Sequence, residues 1–167
     1  MELCMKTLLL FSHTFFKDSK VNKALLESAK TLSNVTIHNL NLTYPSGEIN
    51  IKSEITLLEQ HQKIIFQFPL FWFSTPSLMK EWQDRILSHI LHSKNPKLLQ
   101  GKQFSIITTA GGDEKSYDGH HGYSLETLLS PIYHSFAYLG CEILPTYCIY
   151  NANAENLSTK EYLSHLN

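Results

Sequence analysis

The chain has 167 residues and a formal net charge of −1, so its length fits one ordinary domain that can bury a substantial core. The composition is globular, with 43% hydrophobic and 17% charged residues, and the lack of a basic patch or stripe argues against nucleic-acid binding. Its three cysteines form no C-x-x-C pair, and the longest apolar run near the N-terminus is too short for a membrane span or a secretory signal, so we expect a cytoplasmic, single-domain protein.

Apolar runs of strand length alternate with segments of helical periodicity along the chain. The pattern predicts strands over residues 5–12, 35–39, 63–68, 103–109 and 142–150. It predicts helices over residues 21–32, 53–61, 77–92, 124–139 and 158–166. Ser77 is the expected N-cap of the third helix, and Glu161 stands in capping-box register in the last. Pro131, inside the fourth helix, either bends that helix or marks its true start.

Five strands alternating with helices imply right-handed βαβ units and a parallel sheet covered by helices on both faces. We therefore expect one flavodoxin-like α/β domain, a doubly wound five-stranded parallel sheet in the order 2-1-3-4-5. Ligands of such a sheet bind outside the carboxyl ends of the strands, beside strands one and three. Three loops meet that condition: residues 12–22, 69–77 and 108–123.

The first loop carries the donors of an anion site but no glycine. Backbone N–H groups at the start of the next helix favour an anion, and side-chain donors lie beside them at His13, Ser19, Lys20 and Asn22. Without glycine the loop is neither a P-loop nor a G-x-G-x-x-G turn. The alternative is an ordinary helix cap by Asp18 or Ser19, with His13 on the surface.

The second loop places three adjacent aromatic residues, Phe71, Trp72 and Phe73, between Pro69 and Pro76. An exposed loop normally avoids three large rings, and Pro69 prevents the strand from continuing. The rings are expected to line a pocket for a flat isoalloxazine or quinone ring, or to form a hydrophobic plug beneath a dimer partner. Both interpretations can hold at once. Because Pro69 stands where a response regulator needs an acidic residue, we reject that class.

The third loop combines two glycines, Gly111 and Gly112, with a tyrosine and a histidine pair. The glycines allow the backbone to approach a ligand, and Tyr117 and His121 are the neighbouring pair that can hold or relay a proton near neutral pH. Adjacent histidines seldom bind one ion, and no further ligand has a matching spacing, so we expect no metal site.

These loops together resemble the NAD(P)H:quinone oxidoreductase family, which includes mammalian DT-diaphorase and bacterial quinone reductases that serve as ancillary subunits of potassium-efflux systems. The resemblance rests on FQFPLFWFSTP at 66–76, on LMKEW at 78–82 and on Asp84-Arg85. It extends to the T-T-x-G-G…Y…H-G segment after strand four and to the H…[ST]-x-x-N pattern of the first loop. Nearly the whole chain is covered.

The resemblance implies that Tyr117 and His121 stabilise the charge that develops on a flavin during hydride transfer. The expected cofactor contacts lie in all three loops: His13, Ser19, Lys20, Val21, Asn22, Pro69, Leu70, Phe71, Trp72, Phe73, Thr108, Thr109, Ala110, Gly111, Gly112 and Tyr117. The chain departs from the mammalian pattern at Phe71, where that pattern has a glutamine, and its Tyr-to-His spacing is two residues shorter. It also lacks the mammalian C-terminal region that helps to hold the adenosine half of FAD, which favours FMN, with FAD as the alternative.

By resemblance, the expected activity is a two-electron ping-pong reaction from NAD(P)H to a quinone-type acceptor. Members of the family complete the cleft with a second subunit, so we expect a homodimer, and the aromatic residues near the site, including Tyr123 and Phe136, are consistent with a buried interface. The alternative function is that of a regulatory subunit that binds a membrane potassium-efflux transporter, which would bring the protein to the periphery of the inner membrane.

Overall fold

The computed structural model describes residues 5–120, 122–155 and 157–167. Its strands are β1 (Thr7–Phe11), β2 (Val35–Asn39), β3 (Lys63–Pro69), β4 (Gln103–Thr109), β5 (Glu142–Ile143) and β6 (Tyr147–Ile149). Its helices are α1 (Val21–Ala29), α2 (Leu40–Thr43), α3 (Ile51–Gln60), α4 (Ser77–His92), α5 (Leu125–Tyr138) and α6 (Thr159–Leu166). Within these residues, every helix is too short or too polar to cross a membrane.

The strands form one parallel sheet in the order β2-β1-β3-β4-β5, and β6 also pairs with β4. This arrangement confirms the predicted flavodoxin-like fold and strand order. The predicted fifth strand is divided, because Pro145 has no backbone N–H to donate to the ladder. Its carbonyl accepts instead from the Ser105 hydroxyl at 2.9 Å, and the chain rejoins β4 two residues later as β6.

The helix ends depart from prediction where a different side chain provides the cap. Asn50 accepts from the backbone N–H of Ser53 at 3.0 Å, so α3 begins at Ile51 rather than at Ser53. The prediction that Ser77 is an N-cap is wrong, because Ser77 is already the first helical residue and Pro76 precedes it. Ser124 caps α5, which runs through Pro131 without a break.

The two faces of the sheet bury alternate residues of each strand. In β3, Ile64, Phe66 and Phe68 belong to a core with α3, α4 and α5, whereas Ile65 joins a smaller core with α1 and α6. We name these the α3/α4/α5 face and the α1/α6 face. Phe136 is fully buried and stacks on Phe104 with 3.6 Å between ring centroids, so its ring belongs to the core of the chain, and its nearness to a dimer interface stays a prediction.

Candidate functional site

Three loops leave the carboxyl ends of neighbouring strands and form one continuous surface. Residues 12–20 follow β1, residues 70–76 follow β3, and residues 110–120 follow β4. Because β1, β3 and β4 are adjacent in the sheet, these loops lie side by side. We name the three loops, together with the strand ends and the start of α1 that flank them, the carboxyl edge. The edge corresponds to the loops that the sequence predicts.

Direct contacts connect the three loops. The backbone N–H of Leu70 donates to the Thr109 carbonyl at 2.8 Å, which joins the second loop to the end of β4. The rings of Phe15 and Phe71 lie 5.7 Å apart between centroids, which joins the first loop to the second. Asn22 Nδ2 donates to Thr109 Oγ1 at 3.2 Å, which joins the start of α1 to β4. The predicted residues therefore gather at one place.

Backbone N–H groups that have no hydrogen-bond acceptor among the described residues occur in all three loops of this edge. Six of them belong to Lys20, Val21, Trp72, Phe73, Gly111 and Gly112. All six residues were predicted from the sequence to contact a cofactor. Converging free N–H groups at the start of a helix and at strand ends are the pattern of an anion-binding or cofactor-binding surface.

The first loop holds its polar side chains in fixed roles. Ser19 Oγ accepts from the backbone N–H of Asn22 at 3.2 Å and so acts as the helix cap, with Lys20 exposed beside it. His13 Nδ1 accepts from the backbone N–H of Phe15 at 3.0 Å, and burial lowers the pKa of His13, as does the charge of Lys23. The neutral His13 ring therefore carries its hydrogen on Nε2 and offers one donor, without a positive charge.

The second loop is a tight turn built from two bulky residues. Phe71 and Ser74 exchange backbone hydrogen bonds of 2.8 and 3.0 Å, and the turn between them consists of Trp72 at φ 47° and Phe73 at φ 64°. Positive φ at both central positions normally selects Asn and Gly, and it is strained for an aromatic residue. Trp72 is 84% exposed and Phe73 58%, so the turn projects both rings outward. Strain of this kind is concentrated at binding sites.

In the third loop the glycine backbone is accessible from outside. Among the described residues, a Cβ atom at Gly111 would meet no atom within 4 Å, whereas one at Gly112 would lie 3.2 Å from the Tyr117 ring. The carbonyl of Gly112 accepts from Asn151 N–H at 2.8 Å, which fixes the loop against the segment after β6. The space beside the Gly111 backbone is therefore open to a ligand, whereas the Tyr117 ring occupies the space beside Gly112.

Tyr117 and Thr108 lie at the margin of the edge. Tyr117 is half-buried, with its ring 6.0 Å from that of Tyr150, and it ends a turn that Asp113 caps. The Thr108 hydroxyl donates to the Phe68 carbonyl at 2.8 Å on the α3/α4/α5 face, which commits that side chain to the fold. His121, predicted as the partner of Tyr117, lies outside the described residues.

A buried chain of polar side chains runs beneath the edge on the α1/α6 face. Tyr162 of α6 donates to Gln67 Oε1 at 2.6 Å, and Gln67 Nε2 donates to Asn22 Oδ1 at 3.4 Å. Asn22 Nδ2 then donates to Thr109. All four side chains are at least nine-tenths buried. Sequence reasoning identified Asn22 and Thr109 but not Gln67 or Tyr162, although a glutamine between Phe66 and Phe68 is unusual in a buried strand.

A second buried polar cluster surrounds Glu54 on the α3/α4/α5 face. Glu54 is fully buried and accepts from His38 Nε2 at 2.8 Å, from Trp82 Nε1 at 2.7 Å and from the Tyr44 hydroxyl. Burial raises the pKa of Glu54, but these hydrogen bonds outweigh it and leave the pKa below its ordinary value. Across the described part of the chain, no group of three or more His, Cys, Asp or Glu side chains is arranged to hold a metal ion.

A groove of about 490 Å³ separates α4 from α5. Its lining includes Leu87, Leu91 and Tyr138, of which Leu91 is 41% and Tyr138 72% exposed. The groove reaches Ser74 and Thr75 in the second loop of the edge. An exposed apolar groove of this kind is typical of a contact surface for another protein chain.

Comparison with known proteins gives the chain its family. A family model described as the flavodoxin-like fold matches residues 5–166. The glutathione-regulated potassium-efflux system ancillary protein KefG of Cronobacter sakazakii is 39% identical over 163 residues, which cover 96% of this chain and 88% of the relative. The uncharacterized NAD(P)H oxidoreductase YrkL of Bacillus subtilis is 32% identical over 149 residues, which cover 87% of this chain and 86% of the relative.

A solved structure gives the same result. General stress protein 14 of Treponema denticola, in complex with FMN, superposes with a TM-score of 0.89 at 28% identity, over 96% of this chain and 97% of that one. The residues that the family model matches include all three loops and the strands that position them. The chain therefore belongs to the flavodoxin-like family, and the KefG proteins and the NAD(P)H oxidoreductase YrkL are among the relatives to which it is similar.

Proposed function

We propose that the chain is a flavin-dependent NAD(P)H:quinone oxidoreductase that works by two-electron ping-pong transfer with FMN at the carboxyl edge. The observation that carries the proposal is the set of unpaired backbone N–H groups in all three loops of that edge. A backbone N–H group that has no acceptor within the protein donates to water or to a ligand instead. FMN is also the molecule that the Treponema denticola relative is described as binding.

The residues present fit FMN from its phosphate to its ring. The N–H groups of Lys20 and Val21, together with the Lys20 side chain, would hold the phosphate at the start of α1. The exposed rings of Trp72 and Phe73 would supply an apolar wall, and the open backbone at Gly111 would supply donors for the heteroatoms of the ring. FAD is the alternative occupant, with the same phosphate and ring contacts.

When bound, the flavin accepts a hydride from NAD(P)H and gives two electrons to a quinone-type acceptor. The part of the protein is to position the reactants and to stabilise negative charge. Donors from Gly111, Gly112 and Tyr117 would face the pole of the ring where that charge develops, with His121 as their predicted partner. The wall formed by Trp72 and Phe73 would orient a nicotinamide and then a quinone in the same place.

The first experiment is an absorbance spectrum of the purified protein after incubation with FMN and desalting, followed by anaerobic NADH or NADPH and then a quinone. We expect retained yellow colour that bleaches within seconds and returns when the quinone is added. Protein that retains no flavin, or flavin that neither nucleotide bleaches, would contradict the oxidoreductase proposal.

Gly111→Val makes this experiment specific to the carboxyl edge. Its backbone is not in the left-handed region and its Cβ would meet no atom of the described residues, so the fold should accept the substitution. The added side chain would occupy the space that the flavin needs, and we expect FMN affinity to fall by about tenfold or more. Ser33→Val, an exposed position at the opposite edge of the sheet, is the matched control and should leave affinity unchanged.

We further propose a homodimer, with the groove between α4 and α5 as part of its interface, because that groove leads to Ser74 beside the aromatic turn. Light scattering coupled to size exclusion measures the mass directly. Tyr138→Glu, which puts a charge on an exposed ring of the groove, is expected to produce monomers. A wild-type protein that is monomeric at micromolar concentration would contradict this proposal.

The second candidate function is that of a regulatory subunit of a membrane potassium-efflux transporter, with catalysis secondary. It is favoured by the KefG relatives, which are named as ancillary proteins of such a system. It would keep the protein in the cytoplasm and at the periphery of the inner membrane through its partner. Co-purification with a potassium-efflux transporter of the same cell tests it, and transporter that passes through a column of the immobilised protein would contradict it.

A further inference from the structure

The C-terminal helix α6 reaches the floor of the carboxyl edge through one side chain. The Tyr162 hydroxyl is fully buried and donates to Gln67, a residue in the middle of the sheet and 95 positions earlier in the sequence. Burial raises the pKa of Tyr162, so the hydroxyl keeps its hydrogen at neutral pH and acts as a donor. The position of this one hydrogen has consequences for the next three side chains.

The hydrogen bonds that connect Tyr162, Gln67, Asn22 and Thr109 can run in two directions. In the observed direction, Tyr162 donates to Gln67, Gln67 to Asn22, and Asn22 to Thr109. If both amides turned over, Thr109 would donate to Asn22, Asn22 to Gln67, and Gln67 to the Tyr162 oxygen. The two directions differ at the carboxyl edge, because only the observed one leaves the hydroxyl hydrogen of Thr109 available to an external acceptor.

Tyr162 selects between the two directions. Among the described residues, Gln67 Oε1 is the acceptor for the Tyr162 hydroxyl, so the reversed chain would leave a buried O–H group without a partner. An unmet buried donor is costly, and that cost holds the whole chain in the observed direction.

We propose that Tyr162 is a positioning residue that acts through Gln67 and Asn22 to keep the Thr109 hydroxyl as a hydrogen-bond donor toward the bound cofactor. This inference rests on the proposed function, since it concerns the same edge. It assigns to α6, a helix that contributes no residue to the carboxyl edge itself, a part in cofactor affinity.

The test compares Tyr162→Phe with Thr7→Val by titration of FMN fluorescence. Tyr162→Phe removes the hydrogen that sets the direction, so we expect FMN to bind about tenfold more weakly. Thr7 Oγ1 donates to the Leu166 carbonyl at 3.0 Å, so Thr7→Val also weakens the attachment of α6 but does not touch the chain. We expect its FMN affinity to remain within about twofold of wild type. Equal losses in the two variants would mean a merely structural role and overturn the proposal.

A double-variant measurement locates the effect. If Tyr162 acts through Thr109, then Tyr162→Phe should weaken FMN binding no further once Thr109→Val has removed the donor. Additive losses would overturn the proposal. Should Tyr162→Phe fail to fold, Tyr162→Phe combined with Gln67→Met replaces both partners by apolar groups, and the same tenfold loss is expected.

An NMR readout in the absence of flavin separates this proposal from the proposed function. The side-chain amide resonances of Asn22 are expected to shift in Tyr162→Phe and to stay in place in Thr7→Val. Unchanged Asn22 resonances in Tyr162→Phe overturn the proposal whether or not the protein binds FMN. A wild-type protein that binds no FMN contradicts the proposed function. Shifted Asn22 resonances in Tyr162→Phe would still support the hydrogen-bond connection from Tyr162 to Asn22.

Discussion

The two faces of the sheet bury their polar groups in opposite ways. On the α3/α4/α5 face, Glu54 receives hydrogen bonds from three side chains and the cluster is closed on itself. On the α1/α6 face, a series of hydrogen bonds runs from Tyr162 to Thr109 on the carboxyl edge. Each amide between them accepts one of these hydrogen bonds and donates the next. A closed cluster can contribute only to stability, whereas a directed chain that ends at a binding surface can also set what that surface offers a ligand.

Glu54→Ala breaks the closed cluster and should have the largest effect. His38, Tyr44 and Trp82 would each lose an acceptor inside the protein, so we expect the free energy of unfolding to fall by roughly 3–5 kcal/mol. Urea denaturation followed by circular dichroism measures it. Glu59→Ala, exposed on the same helix, is the control and should cost less than about 0.5 kcal/mol. Equal losses at Glu54 and Glu59 would remove the closed cluster from the account of stability.

Acidification probes the same cluster. Because the pKa of Glu54 is lowered in the folded state, its ionised form adds stability above the ordinary pKa of 4.5, and this is lost as the pH falls through the folded-state value. The difference in unfolding free energy between wild type and Glu54→Gln should therefore be full at neutral pH and shrink below pH 4.5. A difference that stays constant down to about pH 3 would show that the charge of Glu54 is not what the cluster holds.

Tyr117→Phe and His121→Gln test the carboxyl edge. In contrast to Glu54→Ala, these substitutions should change the rate of flavin reduction and leave the free energy of unfolding unchanged. Each substitution removes a donor for charge that develops during hydride transfer, so we expect flavin reduction by NAD(P)H to slow by roughly ten- to a hundredfold while FMN stays bound. Stopped-flow absorbance of the reductive half-reaction measures the rate. Tyr123→Phe, at a nearby tyrosine that is 71% exposed, is the control. Unchanged rates in both variants would take Tyr117 and His121 out of the mechanism.

The sequence was sufficient for the parts of the molecule that depend on local pattern. The apolar run that contains Ile64, Phe66 and Phe68 predicts a strand, and the alternation of such strands with helices predicts a parallel sheet covered on both faces, with the doubly wound strand order. The loops of the site follow from that order, because strands one, three and four end side by side. Local periodicity and one topological rule therefore locate the carboxyl edge.

The contacts beneath the edge could not be predicted in the same way. Tyr162 and Gln67 are 95 residues apart, and Glu54 and Trp82 are 28 apart, so no local pattern connects the partners. The turn at Trp72 could not be predicted for a different reason. Its residues have positive φ, a conformation that Asn and Gly normally adopt. Long-range partners and strained turns are the features that propensity does not encode.

Phe73→Gly should have the smallest effect on stability and the opposite sign. Phe73 is at φ 64° and is 58% exposed, so glycine relieves the strain of a side chain in the left-handed region while losing little buried surface. We expect the free energy of unfolding of the flavin-free protein to rise by about 0.5–1 kcal/mol. Loss of the ring should at the same time weaken the wall of the site and lower the rate of quinone reduction.

Ser74→Gly is the matched control, because Ser74 does not have positive φ and glycine there brings only its conformational entropy. We expect that variant to be less stable than wild type by about 0.5 kcal/mol and to keep its rate of quinone reduction. Urea midpoints of the two flavin-free variants, measured side by side, decide the matter. A Phe73→Gly protein no more stable than Ser74→Gly would mean that the aromatic turn stores no strain. A more stable but slower one would mean that this part of the carboxyl edge, unlike the closed cluster at Glu54, sacrifices stability for function.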